Sequence, residues 1–175
     1  MFQLRMIRPN LDELPKIQIP KGYAIRTYEP GDEVHWAEII NASFGGKRSA
    51  EDTRKEIMDK PHFAPERLFF ATYQGKPVGT ACAWREPPDE TEVGYVHMVG
   101  VVPEHRGHRL GRLVSLCVLY SFKEQGLSKA ILDTDDHRLP AIKTYLNLGF
   151  RPLYREDSHR KRWKVVLEKL GIDGF

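Results

Sequence analysis

Residues 99–112 constrain the fold of this chain more than any other stretch. They begin as the end of an apolar strand, pass through a basic, glycine-rich turn and enter a helix at about Leu110. Helical spacing of apolar residues predicts that helix, and Gly126 is a typical stop signal after it. The apolar positions are Leu110, Leu113, Val114, Cys117 and Val118.

The turn and helix start at residues 103–112, called the phosphate turn below, have the composition of a phosphate site. Gly107 and Gly111 let a ligand approach the backbone closely, and Arg106, Arg109 and Arg112 add positive charge. Free N–H groups and the dipole of the helix start also favour an anion there. The turn therefore predicts a pyrophosphate site, and a strand-to-helix turn with solvated arginines is the alternative that fits the same residues.

Length and composition are those of one folded domain. The chain has 175 residues, 41% of them hydrophobic and 29% charged, with a net charge of +3. We expect an N-terminal arm over residues 1–20, which contains three prolines, and a domain over residues 21–175. Cys82 and Cys117 lie in apolar runs and are interpreted as reduced core thiols. Without a signal peptide or a membrane-spanning run, the expected location is the cytoplasm.

The order of predicted elements is typical of an α+β fold with a mixed sheet. Strand and helix signals follow one another as β-α-α-β-β-β-α-β-α-β-β after the arm. Asp32 and Ser49 are expected to cap the first two helices. The last two strands are predicted at residues 150–154 and 161–167, the second because Trp163, Val165 and Leu167 alternate along one face.

Two segments resemble the signature motifs of the GNAT N-acetyltransferases. The first is VGVVP at residues 99–103 followed by RGHRLG at residues 106–111, and the second is AIKTYLNLGF at residues 141–150. They stand in the family's order, and the element order is similar from about residue 23 to residue 170. The resemblance implies a GNAT-like fold, in which a mixed, mostly antiparallel central sheet is flanked by helices and its central strands splay apart to bind acyl-CoA.

This resemblance also implies a binding mode for acetyl-CoA or another acyl-CoA. The coenzyme would lie between the strands at residues 92–102 and 130–134, with the backbone of Val99, Gly100 and Val101 binding the pantetheine arm and thioester. Its pyrophosphate would lie on Arg106, Gly107, His108, Arg109, Leu110, Gly111 and Arg112.

Two residues depart from the family pattern. Members usually have glycine at the position of Arg109 and asparagine at the position of Arg138. The side chain of Arg109 could push the phosphate outward or pair with it, and Arg138 could reach a phosphate in place of the missing amide.

Acetyl transfer to an amine needs a proton acceptor, an oxyanion site and a proton donor. Tyr145 occupies the place of the family's proton-donating tyrosine, and a phenol with a pKa near ~10 stays protonated at neutral pH. The structural alternative for Tyr145 is a helix residue packed on the sheet. Backbone N–H groups at residues 99–101 would supply the oxyanion site.

Two residues are candidates for the base. His97 alternates with Tyr95, Val99 and Val101, so all four are expected on one side of the strand. A serotonin acetyltransferase branch of the family has a catalytic histidine there, and a half-buried structural histidine is the alternative. Asp133 matches a carboxylate in a bacterial protein acetyltransferase branch, and otherwise pairs with a nearby cation.

The preferred hypothesis is an N-acetyltransferase that moves the acetyl group of acetyl-CoA to an amine by direct transfer in a ternary complex. A non-catalytic acyl-CoA sensor is the second hypothesis, motivated by Arg109 and Arg138. An interaction module built on the basic tail at residues 159–164 is the third, although no nucleic-acid or membrane partner is expected.

The amine acceptor has no readable sequence code. It would be recognised by the helices at residues 31–60, the loop at residues 87–90 and the tail strands, through which a homodimer is also conceivable by family analogy. No metal is expected, because no cysteine pair accompanies the histidines of the phosphate turn.

Overall fold

Seven strands form one mixed sheet in the part of the chain that the structure describes. The structure is a computed structural model and describes residues 2–87 and 89–174. Pro88, within the loop predicted at residues 87–90, lies outside the described residues. The strands are β1 Leu4–Arg8, β2 Tyr23–Thr27, β3 Leu68–Tyr73, β4 Lys76–Trp84, β5 Val93–Val101, β6 Lys129–Thr134 and β7 Arg151–Leu153.

Helices flank both faces of this sheet. They are α1 Glu33–Phe44, α2 Ala50–Thr53, α3 Leu110–Glu124, α4 Leu139–Asn147 and α5 Asp157–Leu170, and α2 continues as a π-helical turn over Arg54–Met58. Among the described residues, no helix is both long and apolar enough to cross a membrane.

The strand order is β2-β3-β4-β5-β6-β1-β7. Neighbouring strands run antiparallel except β5 and β6, which are parallel. The predicted α+β class with a mostly antiparallel mixed sheet is therefore confirmed. The parallel pair at the centre matters for function, because it is the place where the sheet opens.

Two hydrophobic cores hold the helices on the sheet. One face carries α3, α4 and α5, whose apolar side chains pack with those of β1 and β6, including Leu4, Val114 and Trp163. The other face carries α1, whose Trp36 and Ile40 pack against β3 and β4. Burial of these side chains is the main driving force that fixes the helices.

The N-terminal segment contains a strand that is paired on both sides. Strand β1 pairs with β6 on one side and β7 on the other. The chain then passes along α3, where the Tyr120 hydroxyl donates hydrogen bonds to the carbonyl oxygens of Leu14 at 3.4 Å and Pro15 at 3.1 Å. The arm predicted over residues 1–20 thus contributes one strand next to the edge of the sheet before it crosses the outside of a helix.

The strand predicted at residues 161–167 is wrong, because this segment is part of helix α5. The buried residues of α5 are His159, Trp163, Val166 and Leu167, which repeat with helical spacing, whereas Val165 is 48% exposed. A homodimer through a pair of tail strands consequently loses one of its two strands, and β7 alone forms that edge of the sheet.

The two predicted helix caps have different outcomes. Ser49 forms a capping box with Asp52 at the start of α2, as predicted. Asp32 occupies the N-cap position of α1 but makes no capping hydrogen bond with its side chain. Its carboxylate instead accepts hydrogen bonds from the Arg26 guanidinium at 2.6 and 2.9 Å and from the Glu29 amide at 2.7 Å, so it ties β2 to the start of α1.

Candidate active site

A cleft opens where the two parallel central strands separate. Strands β5 and β6 pair from Val93 to Tyr95, opposite Lys129 to Ile131, and then diverge. The cleft has a volume of about 570 Å³ and is bounded by β5, the turn after it, the end of α1 and the start of α4. Beyond Tyr95, β5 pairs only with β4 in the described part of the chain, so its remaining backbone groups face the cleft.

A β-bulge at Met98 divides β5 into two halves. Gly100 pairs with Thr80 and His97 with Cys82, so Met98 and Val99 together oppose one residue of β4. Met98 has a φ of 54°, which is uncommon for a residue other than glycine. The bulge exchanges the two faces of the strand at this point.

The expectation that Tyr95, His97, Val99 and Val101 share one side is therefore wrong. Tyr95 and Met98 pack against the core beneath α1, while Val99 and Val101 pack against the core beneath α3. His97 lies beside Trp84 and Tyr95, with ring centroids 5.5 and 5.3 Å away. The described lining of the cleft includes residues 99–101 but not His97.

The absence of a side chain at Gly100 lets α1 pack closely against the end of β5 that follows the bulge. A Cβ atom at Gly100 would lie 2.7 Å from the Ser43 hydroxyl oxygen and 3.2 Å from the Ser43 Cβ, so the Ser43 side chain or the helix would have to move. The Ser43 hydroxyl in turn donates a hydrogen bond of 3.4 Å to the Val101 carbonyl. The close approach therefore places the end of α1 on one wall of the cleft.

The phosphate turn closes one end of the cleft. Gly107 has a φ of +84°, which suits glycine, and Arg109 immediately before α3 has a φ of 61° and a ψ of 22°. The Arg106 side chain folds back and donates a hydrogen bond of 3.3 Å from its Nε to the Val101 carbonyl. The turn thus aims the free N–H groups of the α3 start into the cleft, among arginine side chains.

Two cavities meet at this turn. Besides the cleft, a cavity of about 320 Å³ lies between residues 18–20 and the start of α3. Gly107, Arg109 and Arg112 line both cavities. Arg109 therefore lies at the boundary that the two cavities share.

Helix α4 forms the wall opposite α1 and presents Tyr145. Pro140, Ala141 and Thr144 line the cleft with it. Tyr145 is 8% exposed, and burial raises the pKa of its phenol to about 12. It therefore remains protonated at neutral pH and can donate a proton into the cleft.

His97 is a weak base in this setting. Burial, together with the neighbouring His62, lowers the pKa of His97 to about 4. An imidazole with that pKa is neutral at pH 7 but has little affinity for a proton from an ammonium group.

Asp133 is committed to ion pairs. Arg5 binds its carboxylate with two hydrogen bonds of 2.8 and 2.6 Å, and Arg155 adds one of 3.3 Å. The Tyr95 hydroxyl donates to the same carboxylate at 3.4 Å, and burial and the Asp133 charge raise the pKa of Tyr95 to about 12. The pairing considered as the alternative for Asp133 is the arrangement found.

Arg138 lines the cleft from the start of α4. Its Nε donates a hydrogen bond of 3.2 Å to Asp135, and the face of its guanidinium lies over the Phe44 ring of α1.

Six residues of the described cleft lining were not among the predicted site residues: Ser43, His105, His137, Pro140, Ala141 and Thr144. Thr144 had a usable signal, because it is adjacent to Tyr145 and three residues after Ala141 on a helix. Ser43 had none, since it reaches the cleft only through the close packing of α1 on Gly100. Among the described residues no three His, Cys, Asp or Glu side chains are grouped as metal ligands.

Comparison with known proteins gives consistent results. The model of the acetyltransferase (GNAT) family matches residues 34–150, about two thirds of the chain. The chain is 36% identical over 155 residues to a mycothiol acetyltransferase of Thermomonospora curvata, covering 84% of this chain and 50% of that protein. It is 34% identical over 157 residues to a mycothiol acetyltransferase of Thermobispora bispora, covering 83% and 52%.

Among solved structures, a GCN5-related N-acetyltransferase from Sphaerobacter thermophilus has the same fold. Its TM-score is 0.70 at 22% identity, covering 87% of this chain and 50% of that one. The chain spans about half the length of the curated relatives that it matches.

Proposed function

The chain belongs to the acetyltransferase (GNAT) family, and we propose that it transfers the acetyl group of acetyl-CoA directly to an amine in a ternary complex. The observation that carries this proposal is the cleft between β5 and β6. It runs from an arginine-rich helix start, suited to a pyrophosphate, to a protonated tyrosine beside unpaired strand backbone. These are the features that a long phosphorylated thioester requires.

The coenzyme would lie along the end of β5 that follows the bulge, at residues 99–101. Val99, Gly100 and Val101 would offer backbone hydrogen bonds to the pantetheine arm, because β6 has diverged from them. The phosphates would meet the α3 start and the arginines of the turn. In that position the thioester carbonyl reaches the bulge, where backbone N–H groups can stabilise the developing oxyanion.

Tyr145 is the proposed proton donor. The amine nitrogen attacks the thioester carbonyl carbon, and collapse of the tetrahedral intermediate breaks the carbon–sulfur bond. The phenol gives its proton to the departing thiolate and recovers one from the nitrogen, so that an amide and free coenzyme A are formed.

We propose that the ammonium form of the acceptor loses its proton to solvent before it attacks. The low pKa of His97 makes its imidazole a weak proton acceptor, and the Asp133 carboxylate is occupied by hydrogen bonds from Arg5 and Arg155. We propose that both residues belong to the binding site for the amine acceptor, on the face of the sheet that carries α1. There His97 packs beside Tyr95, and Asp133 accepts the Tyr95 hydrogen bond.

The acceptor class is best approached by a screen. The name of the relatives, mycothiol acetyltransferase, makes mycothiol-related amines one class to include, beside amino acids, small amines and peptide N-termini.

The test measures release of free thiol from acetyl-CoA by the purified chain across that panel. The proposal predicts amine-dependent thiol release at a rate that rises with pH up to the pKa of the acceptor ammonium. Binding of acetyl-CoA without thiol release for any amine would instead identify a sensor, and absence of binding at millimolar concentration would overturn the whole proposal.

A further inference from the structure

The two walls of the cleft are formed by helices that rest on different faces of the sheet. Helix α1 packs on β4 and β5 and brings Ser43 to the cleft, whereas α4 packs on α3 and α5 and brings Tyr145 to it. A ligand that lies on β5 between these walls is held only as long as the gap above it stays narrow.

One side-chain pair spans this gap. The guanidinium carbon of Arg138 lies 4.0 Å from the centre of the Phe44 ring, a close cation–π contact between the start of α4 and the last residue of α1. The Arg138 side chain is 24% exposed, and Phe44 as a residue is 40% exposed. The pair is thus at the outer edge of the cleft rather than in the core.

The guanidinium is also anchored at its base. Its Nε donates to the Asp135 carboxylate at 3.2 Å, and the Asp135 carboxylate accepts a further hydrogen bond from the Gln3 amide at 3.0 Å. With Nε occupied and one face on Phe44, the orientation of the planar group is fixed across the cleft. Its terminal nitrogens make no hydrogen bond within the described residues and remain available to a ligand.

We propose that Arg138 and Phe44 form a bridge that closes the cleft over the pantetheine arm of the bound coenzyme and slows its dissociation. This inference rests on the proposed function. Arg138 lines the same cleft as the strand residue Gly100 and the proposed proton donor Tyr145, and its contact with Phe44 joins the two walls. Arg138 and Phe44 are positioning residues, because they hold the coenzyme and not the reacting atoms.

The bridge differs from a simple phosphate contact in a testable way. If Arg138 acted only as a positive charge, replacement of Phe44 by an apolar residue would leave coenzyme binding unchanged. If the two act as one bridge, loss of either opens the gap, and loss of both adds little to loss of one.

The experiment measures the dissociation rate of acetyl-CoA by stopped-flow competition with the whole chain. The variants are Arg138→Ala, Arg138→Lys, Phe44→Leu and the double variant Arg138→Ala/Phe44→Leu. Arg160→Ala is the matched control, because the Arg160 guanidinium lies 5.2 Å from the Tyr154 ring outside the cleft. Melting temperatures and circular dichroism confirm that each variant folds.

We expect about threefold to tenfold faster dissociation for Arg138→Ala and for Phe44→Leu, the range that a cation–π contact supports. The double variant should match the single ones, Arg138→Lys should fall between wild type and Arg138→Ala, and Arg160→Ala should match wild type. An unchanged rate in Phe44→Leu, or additive effects in the double variant, would overturn the bridge. Failure of the wild-type chain to bind acetyl-CoA would count against the proposed function itself.

Discussion

Tyr145 is the residue on which the proposed chemistry depends most. Because burial raises the pKa of its phenol to about 12, it stays protonated over the whole working range of the protein. Tyr145→Phe keeps the ring and its packing against Phe150 but removes the proton. We expect kcat in the thiol-release assay to fall about 100-fold, with the KM for acetyl-CoA changed less than about threefold.

A matched control for this variant is Tyr120→Phe. The Tyr120 hydroxyl bonds the N-terminal segment outside the cleft, so its loss should leave kcat unchanged. Equal effects of the two substitutions, or a fully active Tyr145→Phe, would show that Tyr145 is a packing residue. Ionisation of Tyr145 should cause no loss of rate up to about pH 10.

Arg109 combines an unfavourable backbone conformation with a positive charge at the phosphate turn. Its φ of 61° is unfavourable for an L-residue by about 1–2 kcal/mol, and glycine adopts it freely. Arg109→Gly also frees the unfolded chain, which offsets about 0.4–1 kcal/mol of that gain. We expect a net rise of about 0.5–1 kcal/mol in the free energy of unfolding, measured by urea denaturation.

The same variant should bind coenzyme A less tightly. Arg109 lines both cavities at the turn, so its loss removes one cation from the phosphate site. A variant that is more stable and yet binds more weakly by calorimetry would establish that the arginine serves the ligand. A destabilised variant, or one with unchanged affinity, would contradict this interpretation.

His97 couples folding to acid pH. Its pKa is lowered from 6.5 to about 4 in the folded state, so the unfolded chain takes up the proton first as the pH falls. The lowered pKa of His97 therefore has no effect on the free energy of unfolding above about pH 6.5. Below that pH the free energy of unfolding decreases as the pH falls towards 4. The loss is on the order of 3 kcal/mol.

His97→Gln should flatten the dependence of melting temperature on pH between 6.5 and 4. It should leave the slope of the pH–rate profile near neutrality unchanged, because solvent takes the ammonium proton. If His97→Gln abolishes that slope, His97 is the base.

At the scale of elements, helix α5 offers a direct test of local structure. Trp163 is fully buried and Val165 is 48% exposed, as one helical face requires, whereas a strand would have placed both on the same side. We expect Trp163→Ala to lower the free energy of unfolding by about 3–5 kcal/mol and Val165→Ala to change it by less than about 0.5 kcal/mol. Comparable losses in both variants would favour the strand.

The sequence of α5 explains why the strand was predicted. Its apolar residues are few and are separated by basic ones, so Trp163, Val165 and Leu167 suggest alternation over a short window. Trp163, Val166, Leu167 and Leu170 have helical spacing as well, so the segment is compatible with both periods, and the burial of His159 together with the exposure of Val165 distinguishes them only in the structure. In the structure α5 packs against α4, with Trp163 and Val166 in the hydrophobic core.

Strand β5 shows a different limit. Its position, length and partner strands follow from the apolar run and from the motif after it. The bulge does not, because Met98 adopts a positive φ that glycine usually provides and that nothing in the local sequence marks. Because of the bulge, Tyr95 lies on the face of β5 that carries α1, whereas Val99 and Val101 lie on the face that carries α3. Strict alternation along the strand therefore predicts the wrong side for His97, which does not line the described cleft.

The phosphate turn and α4 were predictable because their signals are local. Glycines, arginines and helical spacing specify a helix start and its charge within a dozen residues. The partners of Asp133 come from β1 and the segment before α5, more than twenty positions away in the sequence. Contacts of that kind depend on the order of strands in the sheet, which local patterns do not encode.

At the scale of the whole molecule, one half of the sheet differs from the other. Strands β2 to β5 carry α1 and α3 on opposite faces, and the cleft begins where β6 leaves β5. The N-terminal strand β1 completes the second half by pairing with both β6 and β7. Opening of the sheet, rather than a single side chain, is therefore what creates the cleft in which we propose that the coenzyme binds.

The most direct test of coenzyme binding in the cleft is hydrogen exchange of the whole chain with and without acetyl-CoA. We expect slower exchange of the amides at residues 99–101 and 107–112, where the coenzyme would meet free backbone groups, with little change in β2 and β3. Protection confined to other surfaces, or no protection at a coenzyme concentration that saturates binding, would contradict it.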